Sequence, residues 1–301
     1  MSTALDTFVL DMDSTSQMIM SGAIFGMMLA VALGLKPQDF LFIKKSPRLY
    51  MAGLLGQVLV LPVTTIALCW LLSPHPSIAL GMILIACCPG GNVSNILVLL
   101  SRGNTALSVS LTATSSLLAA FVTPSAILFW TSIYPPTADM LTKIDLDVVR
   151  FLLHTGLILA VPLFLGMLTA NYLPRLAQKL RGPLVVIASL MLASIILVTV
   201  FKARDLLVVV GGAIIGIVAL HNAIANLSGF CLGRLVKADT ASMRALTIEI
   251  GIQNSGLGIV VIMSQFGGVG AAAAVAGLWG IWHILAGMVL VSFFRVSDKL
   301  S

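Results

Sequence analysis

A single carboxylate and several neutral oxygen-bearing side chains lie inside stretches of sequence that are otherwise apolar. Glu249 is followed by Gln253 and Asn254, and a polar group far upstream contains Ser94 and Asn95. Carboxylate, amide, hydroxyl and carbonyl oxygens are the ligands that hard cations prefer. One carboxylate among neutral oxygens favours a singly charged ion, so the pattern predicts a sodium site. The alternative is a protonated Glu249 that only hydrogen-bonds two helices together.

Both polar groups interrupt apolar segments that are long enough to be membrane helices. Pro89 removes a backbone donor and Gly90 adds backbone freedom, so we expect the first helix to open there. The second interruption reads Glu249-Ile-Gly-Ile-Gln-Asn-Ser-Gly256. An opened backbone is tolerated in a membrane only where protein or a polar cavity satisfies it. Two broken helices with facing polar ends are typical of a transporter site.

Other polar residues in apolar spans are weaker candidates. Ser108 and Thr112 are four residues apart and lie on one helix face, but such hydroxyls often bond back to the preceding turn. Gln57 is as typical of interhelical packing as of a ligand. From the pattern alone we interpret His154, His221 and His283 as hydrogen-bonded packing residues.

The composition is that of a membrane protein with many spans. The chain is 59% hydrophobic and 9% charged, with a mean hydropathy of +1.09, whereas a soluble domain carries roughly 25% charged residues. The net charge of +6 comes from basic residues dispersed among short loops, which indicates topology signals. The cysteines lie in or beside apolar runs, and no His or Cys pair has the spacing of a metal site. We expect no cofactor, no nucleic-acid partner and no obligate protein partner.

Nine segments are apolar over about 20 residues, the length that crosses a bilayer. The predicted fold is an all-α polytopic membrane protein with one domain over residues 1–301. Residues 1–17 are a polar outer segment, 18–294 the membrane domain and 295–301 a cytoplasmic tail. The first apolar run lacks the positive flank of a signal peptide, so we expect it to remain as a membrane helix. The predicted spans are Met18–Leu35, Tyr50–Leu72, Ser77–Leu100, Thr105–Ile133, Val148–Ala170, Leu184–Val200, Leu206–Leu232, Ala245–Phe266 and Ala271–Phe294.

Alternate loops differ strongly in their content of Lys and Arg. Thirteen of the 17 basic residues fall in one set of loops and four in the other. Positive residues are retained on the cytoplasmic side, so we expect the N-terminus outside and the C-terminus in the cytoplasm. The four outer basic residues are Lys143, Arg150, Lys202 and Arg204.

The two interruptions suggest an internal symmetry. If spans one to four are an inverted copy of spans six to nine, the third pairs with the eighth, and both interruptions meet near the bilayer midplane. Span five then stands outside the pairing. The two halves have little sequence similarity, so this prediction depends on the placement of the breaks.

Four motifs follow one another along the chain: Lys36-Pro-Gln-Asp-Phe40, Cys87-Cys-Pro-Gly-Gly-Asn-Val-Ser-Asn95, Arg102-Gly-Asn104 with Leu107-Ser108, and Glu249-Ile-Gly-Ile-Gln-Asn-Ser-Gly256. In this order they resemble the bile acid:sodium symporter family. The resemblance extends from about Ser21 to Phe294 and implies a core domain with two crossing broken helices, a smaller panel domain, and two sodium sites behind the crossing. The chain resembles the nine-span members, which begin at the equivalent of the second span of ten-span bacterial members.

The resemblance also implies a ligand set for each sodium ion, with Glu249 shared between them. The organic anion would lie in front of these sites, where half-helix N-termini offer unpaired N–H groups and partial positive charge. Gly91, Asn92 and Asn254 would be closest to it. The first sodium site would use Ser94, Asn95, Ser108, Thr112 and Glu249, and the second Gln57, Glu249, Gln253 and the backbone carbonyls of Ile250 and Ile252.

The activity implied by the resemblance is sodium-coupled uptake of an organic anion across a bacterial inner membrane. Bacterial and plastid relatives are associated with small carboxylates such as pantoate and pyruvate. Asn92 stands where many bacterial members have Thr, so a small carboxylate and a bile-acid-like anion both stay open.

Other classes of protein use similar elements. A cation channel or a sodium/proton exchanger with the same broken helices is the alternative. An arsenite-type carrier would be expected to rely on a Cys in the fourth span, which has none. We do not expect an enzyme, because no Ser–His, Asp–Asp or metal-binding pair is placed on helices that must meet.

Overall fold

The chain folds into helices joined by short connections, in a computed structural model that describes residues 14–144, 146–202 and 204–300. Within these ranges there is no β-strand, only one isolated bridge between Gly90 and Gln253. Most of the predicted outer segment (residues 1–13) and the last residue of the predicted tail lie outside the described residues. The helices are α1 Ser14–Gly34, α2 Leu41–Lys45, α3 Pro47–Leu72, α4 Pro76–Ala86, α5 Val93–Leu100, α6 Thr105–Ile133, α7 Pro135–Ile144, α8 Val148–Tyr172, α9 Pro174–Lys202, α10 Arg204–Leu235, α11 Thr240–Gly251, α12 Ser255–Gln265 and α13 Gly270–Leu300.

Six helices of the described chain are long and apolar enough to cross a membrane. They are α3, α6, α8, α9, α10 and α13, which correspond to the second, fourth to seventh and ninth predicted spans. A seventh is reached if Met18–Gly34 and the following Gln38–Lys45, bent by 83°, count as one span. The prediction of an all-helical membrane protein with several spans is therefore confirmed.

The third and eighth predicted spans each consist of two short helices. α4 and α5 are separated by residues 87–92, and α11 and α12 by residues 252–254. Pro89 cannot donate a helical hydrogen bond. Asn254 starts α12 as its N-cap, because its Oδ1 accepts the N–H of Leu257 at 3.1 Å. Each half-helix by itself is shorter than the thickness of a bilayer requires.

The long helices pack in two groups. α1 lies mainly against α8 and α9, whereas α13 packs against α4, α10 and α12. α6 contacts both α8 of the first group and the short helices α5 and α11 of the second. Ile83, Ile85 and Trp279 are almost inaccessible in the centre of the second group. Exposed apolar side chains such as Leu71 and Phe164 lie on outward faces, as lipid contact requires.

Two boundaries differ from the prediction. The sixth predicted span begins at Leu184, but α9 begins at Pro174 and carries Pro183 in its interior. Neighbouring groups in a bundle can compensate for the bond that such a proline removes, so it does not end the helix. The segment after Tyr134 is α7 and not a loop, because Pro135 occupies the first turn of a helix, where no N–H is needed.

Candidate functional site

The two interruptions meet through their backbones. The N–H of Gly91 donates to the carbonyl oxygen of Ile252 at 3.0 Å, and the N–H of Asn254 donates to that of Pro89 at 2.9 Å. Together they form the isolated antiparallel bridge. Backbone groups freed by a break in a membrane helix need partners, and here each interruption supplies them to the other.

The last carbonyl groups of α11 also find partners, outside the helix. A helix end leaves its last four carbonyl groups without intrahelical donors, and this end is buried. Side-chain amides from α3, from α10 and from the interruption itself donate to them. The bonds run from Gln57 Nε2 to Glu249 O at 3.3 Å, from Gln253 Nε2 to Ile250 O at 2.9 Å and from Asn222 Nδ2 to Gly251 O at 2.8 Å.

Glu249 is fully buried, and both of its carboxylate oxygens contact hydroxyl groups of α6. Thr112 Oγ1 donates to Oε1 at 2.5 Å, and Ser108 Oγ donates to Oε2 at 2.6 Å. The spacing of four residues places both hydroxyls on the same face of α6. No Lys, Arg or His of the described chain forms an ion pair with this carboxylate. A buried carboxylate without a basic partner needs a cation or a proton to neutralise it.

Side chains of α5 complete an oxygen cluster around this carboxylate. Asn95 Oδ1 lies 2.8 Å from Ser108 Oγ and 3.3 Å from Thr112 Oγ1. Ser94 Oγ lies 3.4 Å from Thr112 Oγ1. Each hydroxyl carries one proton, so the cluster has fewer protons than oxygen–oxygen contacts, and a cation would satisfy the remaining lone pairs. The structure thus brings together all five residues of the first predicted sodium site.

The second predicted set surrounds two buried amides. The side-chain oxygens of Gln57 and Gln253 have no hydrogen-bond partner among the described residues. The carbonyl groups of Ile250 and Ile252, which the resemblance implies as ligands, each accept one hydrogen bond already, although a carbonyl oxygen has a second lone pair. The unsatisfied acceptors of this set are therefore the two amide oxygens.

Gln57 reaches Glu249 from a widened turn of α3. Gly56–Val60 form a π-helical turn inside this helix, a feature that is frequent at functional sites. It brings Gln57 Nε2 to 3.5 Å from Glu249 Oε1. A Cβ atom on Gly90 would lie 2.7 Å from Gln57 Nε2 and 3.0 Å from Glu249 Oε1. Only glycine therefore lets the first interruption approach these two side chains.

None of the residues predicted to contact the organic anion is fully buried. Asn92 is exposed, and its Nδ2 lies 3.8 Å from Sδ of Met27 on α1. Gly91 and Asn254 are partly buried, and the oxygen of Asn254 is engaged in capping α12. Asn92 precedes α5 without a side-chain bond to its first turn. The N-terminal N–H groups of α5 thus lie beside an exposed amide.

Two polar residues hold the interruptions although sequence reasoning did not select them as site residues. Ser115 Oγ accepts the N–H of Gly90 at 3.2 Å, and Asn222 donates to the carbonyl of Gly251 as described. The available signal was weak: Ser115 lies one turn after Thr112, and Asn222 is an amide in an apolar span.

His283 and His221, both interpreted as packing residues, differ in their surroundings. His221 Nε2 lies 2.7 Å from Thr65 Oγ1, and its ring packs against Trp279. His283 is buried on α13, and its Nδ1 has no partner in the described part of the chain. It lies on the helix face of Gly280 and Gly287, which approach Ser255 and Ile252 of the second interruption.

Metal chemistry of the transition-metal type has no site in the part of the chain that the structure describes. No group of three or more His, Cys, Asp or Glu side chains is placed to hold a metal ion there. The oxygen cluster has one ionisable member, Glu249, and otherwise neutral hydroxyls and amides. Neutral oxygens with a single carboxylate are the kind of ligands that hard, singly charged cations prefer.

Comparison with known proteins gives an independent result. The profile of the Sodium Bile acid symporter family matches residues 22–210. The chain is 30% identical over 272 residues to the uncharacterized sodium-dependent transporter YocS of Bacillus subtilis (strain 168), covering 90% of this chain and 81% of that protein. It is 30% identical over 275 residues to the probable sodium/metabolite cotransporter BASS1, chloroplastic, of Arabidopsis thaliana, with coverages of 90% and 65%. It is 27% identical over 246 residues to the ileal sodium/bile acid cotransporter of Homo sapiens, with coverages of 79% and 67%.

Proposed function

Since the chain belongs to the Sodium Bile acid symporter family, we propose that it is a symporter that imports a small organic anion together with sodium. The family consists of sodium-coupled transporters and not of enzymes, so the chain is a multi-pass membrane transport protein. Its place is the inner membrane of a bacterium, with the N-terminus outside. The distribution of Lys and Arg and the similarity to a Bacillus protein support this placement.

We infer nine crossings of the membrane. The six long helices each cross once. The pair α4 and α5 forms one broken span, the pair α11 and α12 forms another, and α1 is the ninth. The group of α1, α8 and α9 is the panel, and the remaining spans are the core. The packing of the helices in two groups and the backbone bridge between the interruptions support this arrangement, which has the form of an inverted repeat.

The observation that carries the proposal is the oxygen cluster of Ser94, Asn95, Ser108, Thr112 and Glu249. The cluster contains one carboxylate without a basic partner, and it has fewer hydroxyl protons than oxygen–oxygen contacts. We assign this cluster to the first sodium ion. The unsatisfied amide oxygens of Gln57 and Gln253 belong to the second, with Glu249 between the two ions.

Coupling follows from where the ligands lie on α5. Ser94 and Asn95 are in its first turn, two and three residues after Asn92. A sodium ion that holds these two residues therefore orders the helix N-terminus, where N–H groups and the positive end of the helix dipole favour an anion. Sodium and the organic anion need not touch. Their affinities must change reciprocally, by the same factor.

We infer that the anion is a small carboxylate, of the size of pantoate or a 2-keto acid. Its carboxylate would accept hydrogen bonds from the first turn of α5 and from the exposed amide of Asn92. A bile-acid-like anion is the alternative substrate, as the human relative's name indicates for that protein.

Uptake into proteoliposomes tests the proposal. Labelled pantoate, pyruvate and taurocholate would be offered with an inward sodium gradient, and again with potassium in place of sodium. We expect sodium-dependent uptake of a small carboxylate and its loss in Glu249→Ala. Ser110→Ala is the matched control, because Ser110 is buried on the same helix but bonds the carbonyl of Asp39.

Two results would overturn the proposal. A folded, inserted Glu249→Ala variant whose uptake sodium still stimulates would exclude Glu249 from the coupling site. Sodium flux without any organic anion, or driven by acid, would identify a channel or an exchanger. Membership of a symporter family does not favour either of these.

A further inference from the structure

A cavity of about 650 Å³ lies at the junction of the two helix groups, away from the oxygen cluster. It is bounded by the starts of α1 and α8 on one side and by the end of α12 on the other. In the proposed topology all three helix ends are on the outer face of the membrane. The polar residues that line it are Ser21, Asp147, Arg150, His154, Ser264 and Gln265.

Arg150 brings a positive charge to this cavity, which also holds the carboxylate of Asp147. It has no ion pair among the described residues, whereas Arg244 is paired with Asp298. The nearby carboxylate of Asp147 has another role, because its Oδ1 accepts the backbone N–H of Arg150 at 3.0 Å and caps α8. A basic residue on the outer face does not serve as a topology signal. An unpaired guanidinium has the planar fork that binds carboxylates through two hydrogen bonds.

His154 and Gln265 add polar groups beside this guanidinium. His154 follows Arg150 by four residues, so both lie on one face of α8. The amide nitrogen of Gln265 lies 2.7 Å from His154 Nδ1. In the tautomer whose Nδ1 accepts this amide N–H, Nε2 carries the proton and is a donor. The bond also joins α8 to α12, across the junction of the two groups.

We propose that Arg150, His154 and Gln265 form an outer anion site, which binds the carboxylate of the transported anion before it reaches the start of α5. This inference rests on the proposed function and topology. The ligand is a small carboxylate, held by the guanidinium and by the imidazole N–H. The core–panel junction is the place where a route from outside would open during alternating access.

Uptake of labelled pyruvate and pantoate by intact cells tests the site, because only the outer face meets the substrate. In Arg150→Gln we expect the KM for the anion to rise about fivefold or more, the loss expected for a charge-assisted hydrogen bond. The maximal rate and the half-saturating sodium concentration should stay unchanged. Lys143→Gln is the matched control, since Lys143 is exposed near the same face, carries the same charge and does not line the cavity. Equal KM changes in the two variants would overturn the inference.

A second measurement does not require transport. In a Cys231→Ser background, which removes the one exposed cysteine, Ser264→Cys would be labelled from outside with impermeant anionic and cationic thiol reagents. The measured quantity is the rate of labelling by the anionic reagent divided by the rate of labelling by the cationic reagent. We expect Arg150→Gln to lower this ratio about threefold or more, and Lys143→Gln to leave it nearly unchanged. An unchanged ratio in Arg150→Gln would overturn the outer site even if uptake is sodium-dependent. A changed ratio in a protein without sodium-dependent uptake would support the site and reject the symport.

Discussion

The backbone N–H of Gly91 donates to the carbonyl oxygen of Ile252 at 3.0 Å, and this bond joins two helix ends that are far apart in the sequence. Ser94 lies three residues after Gly91, and Glu249 lies three residues before Ile252. A cation held between Ser94 and Glu249 would therefore close a ring of covalent and hydrogen-bonded links. Movement of either helix end would change the geometry of the cation site. A bound cation would therefore stabilise the pairing of the two interruptions.

Replacing Glu249 by Gln tests whether the carboxylate binds the cation. The amide keeps the shape of the side chain and removes its charge. We expect sodium chloride to raise the Tm of the wild-type protein relative to choline chloride, since a ligand that binds only the folded state stabilises it by mass action. In Glu249→Gln this rise should disappear, while the Tm without sodium should be equal or higher, because an unpaired buried charge is costly. A sodium-dependent rise that persists in the variant would contradict the assignment.

Thr112→Val tests a single neutral ligand. Valine keeps the shape of threonine but has no oxygen for a cation or for Glu249. The half-saturating sodium concentration for uptake should rise roughly tenfold, which corresponds to about 1.4 kcal/mol. The matched control is Thr114→Val, because the Thr114 hydroxyl accepts a hydrogen bond from Tyr50 at 2.6 Å and does not contact Glu249. Thr114→Val should lower the Tm but leave the half-saturating sodium concentration unchanged. If that concentration rises equally in both variants, the effect of Thr112→Val is structural and does not come from a lost sodium ligand.

Gly90→Ala tests the close approach of the first interruption. The new Cβ would lie 2.7 Å from Gln57 Nε2 and 3.0 Å from Glu249 Oε1, so both side chains must move. Overpacking of this kind costs about 1–3 kcal/mol, and we expect the sodium-induced rise in Tm to be lost as well. Gly22→Ala is the control, since no atom lies within 4 Å of its added Cβ. A Gly90→Ala protein that keeps wild-type sodium binding would show that Gln57 and Glu249 need not be so near.

Arg244 links α11, which carries Glu249, to the end of α5, which carries Ser94 and Asn95. Its guanidinium donates to the carbonyl of Ser101, at the end of α5, at 2.8 Å, and forms an ion pair with Asp298 of α13. Arg244 is nearly buried, whereas Arg102, which also contacts Asp298, is mostly exposed. Arg244→Ala should therefore lower the Tm by several degrees, and Arg102→Ala should change it little, because exposed ion pairs contribute little. Thermal unfolding of the two variants under the same conditions tests this prediction. Equal decreases in Tm would show that the burial of Arg244 does not make its contacts more stabilising than those of Arg102.

Much of this architecture could be predicted from single residues and hydropathy. The long apolar runs predicted the six long helices. Pro89 and the polar segment after Glu249 lie where one short helix ends and the next begins, and that each pair of short helices acts as one broken span stays a prediction. α7 was missed because two consecutive prolines after Tyr134 suggest a break, although the first turn of a helix accepts proline.

The members of the oxygen cluster could be named because each is polar within an apolar span and because the motifs resemble a known family. The roles of Ser115 and Asn222 could not be predicted, since both bind backbone carbonyl or N–H groups that are free only once particular helices are neighbours. The π-helical turn at Gln57 could not be predicted either. It depends on how neighbouring helices pack, and hydropathy does not describe this packing.

Asn92 and Asn95, three residues apart, should separate the two ligands. Asn95 Oδ1 lies within the oxygen cluster, 2.8 Å from Ser108 Oγ, whereas Asn92 is exposed beside the N-terminus of α5. Asn95→Ala should abolish the sodium-induced rise in Tm. Asn92→Ala should keep that rise and increase the KM for the organic anion about tenfold or more, the loss of a hydrogen bond to a charged group. Tm with and without sodium, and KM at saturating sodium, would be measured for both variants. If both variants lose the sodium-induced rise in Tm equally, Asn92 and Asn95 do not serve separate ligands. The indirect coupling proposed for the anion and the cation is then wrong.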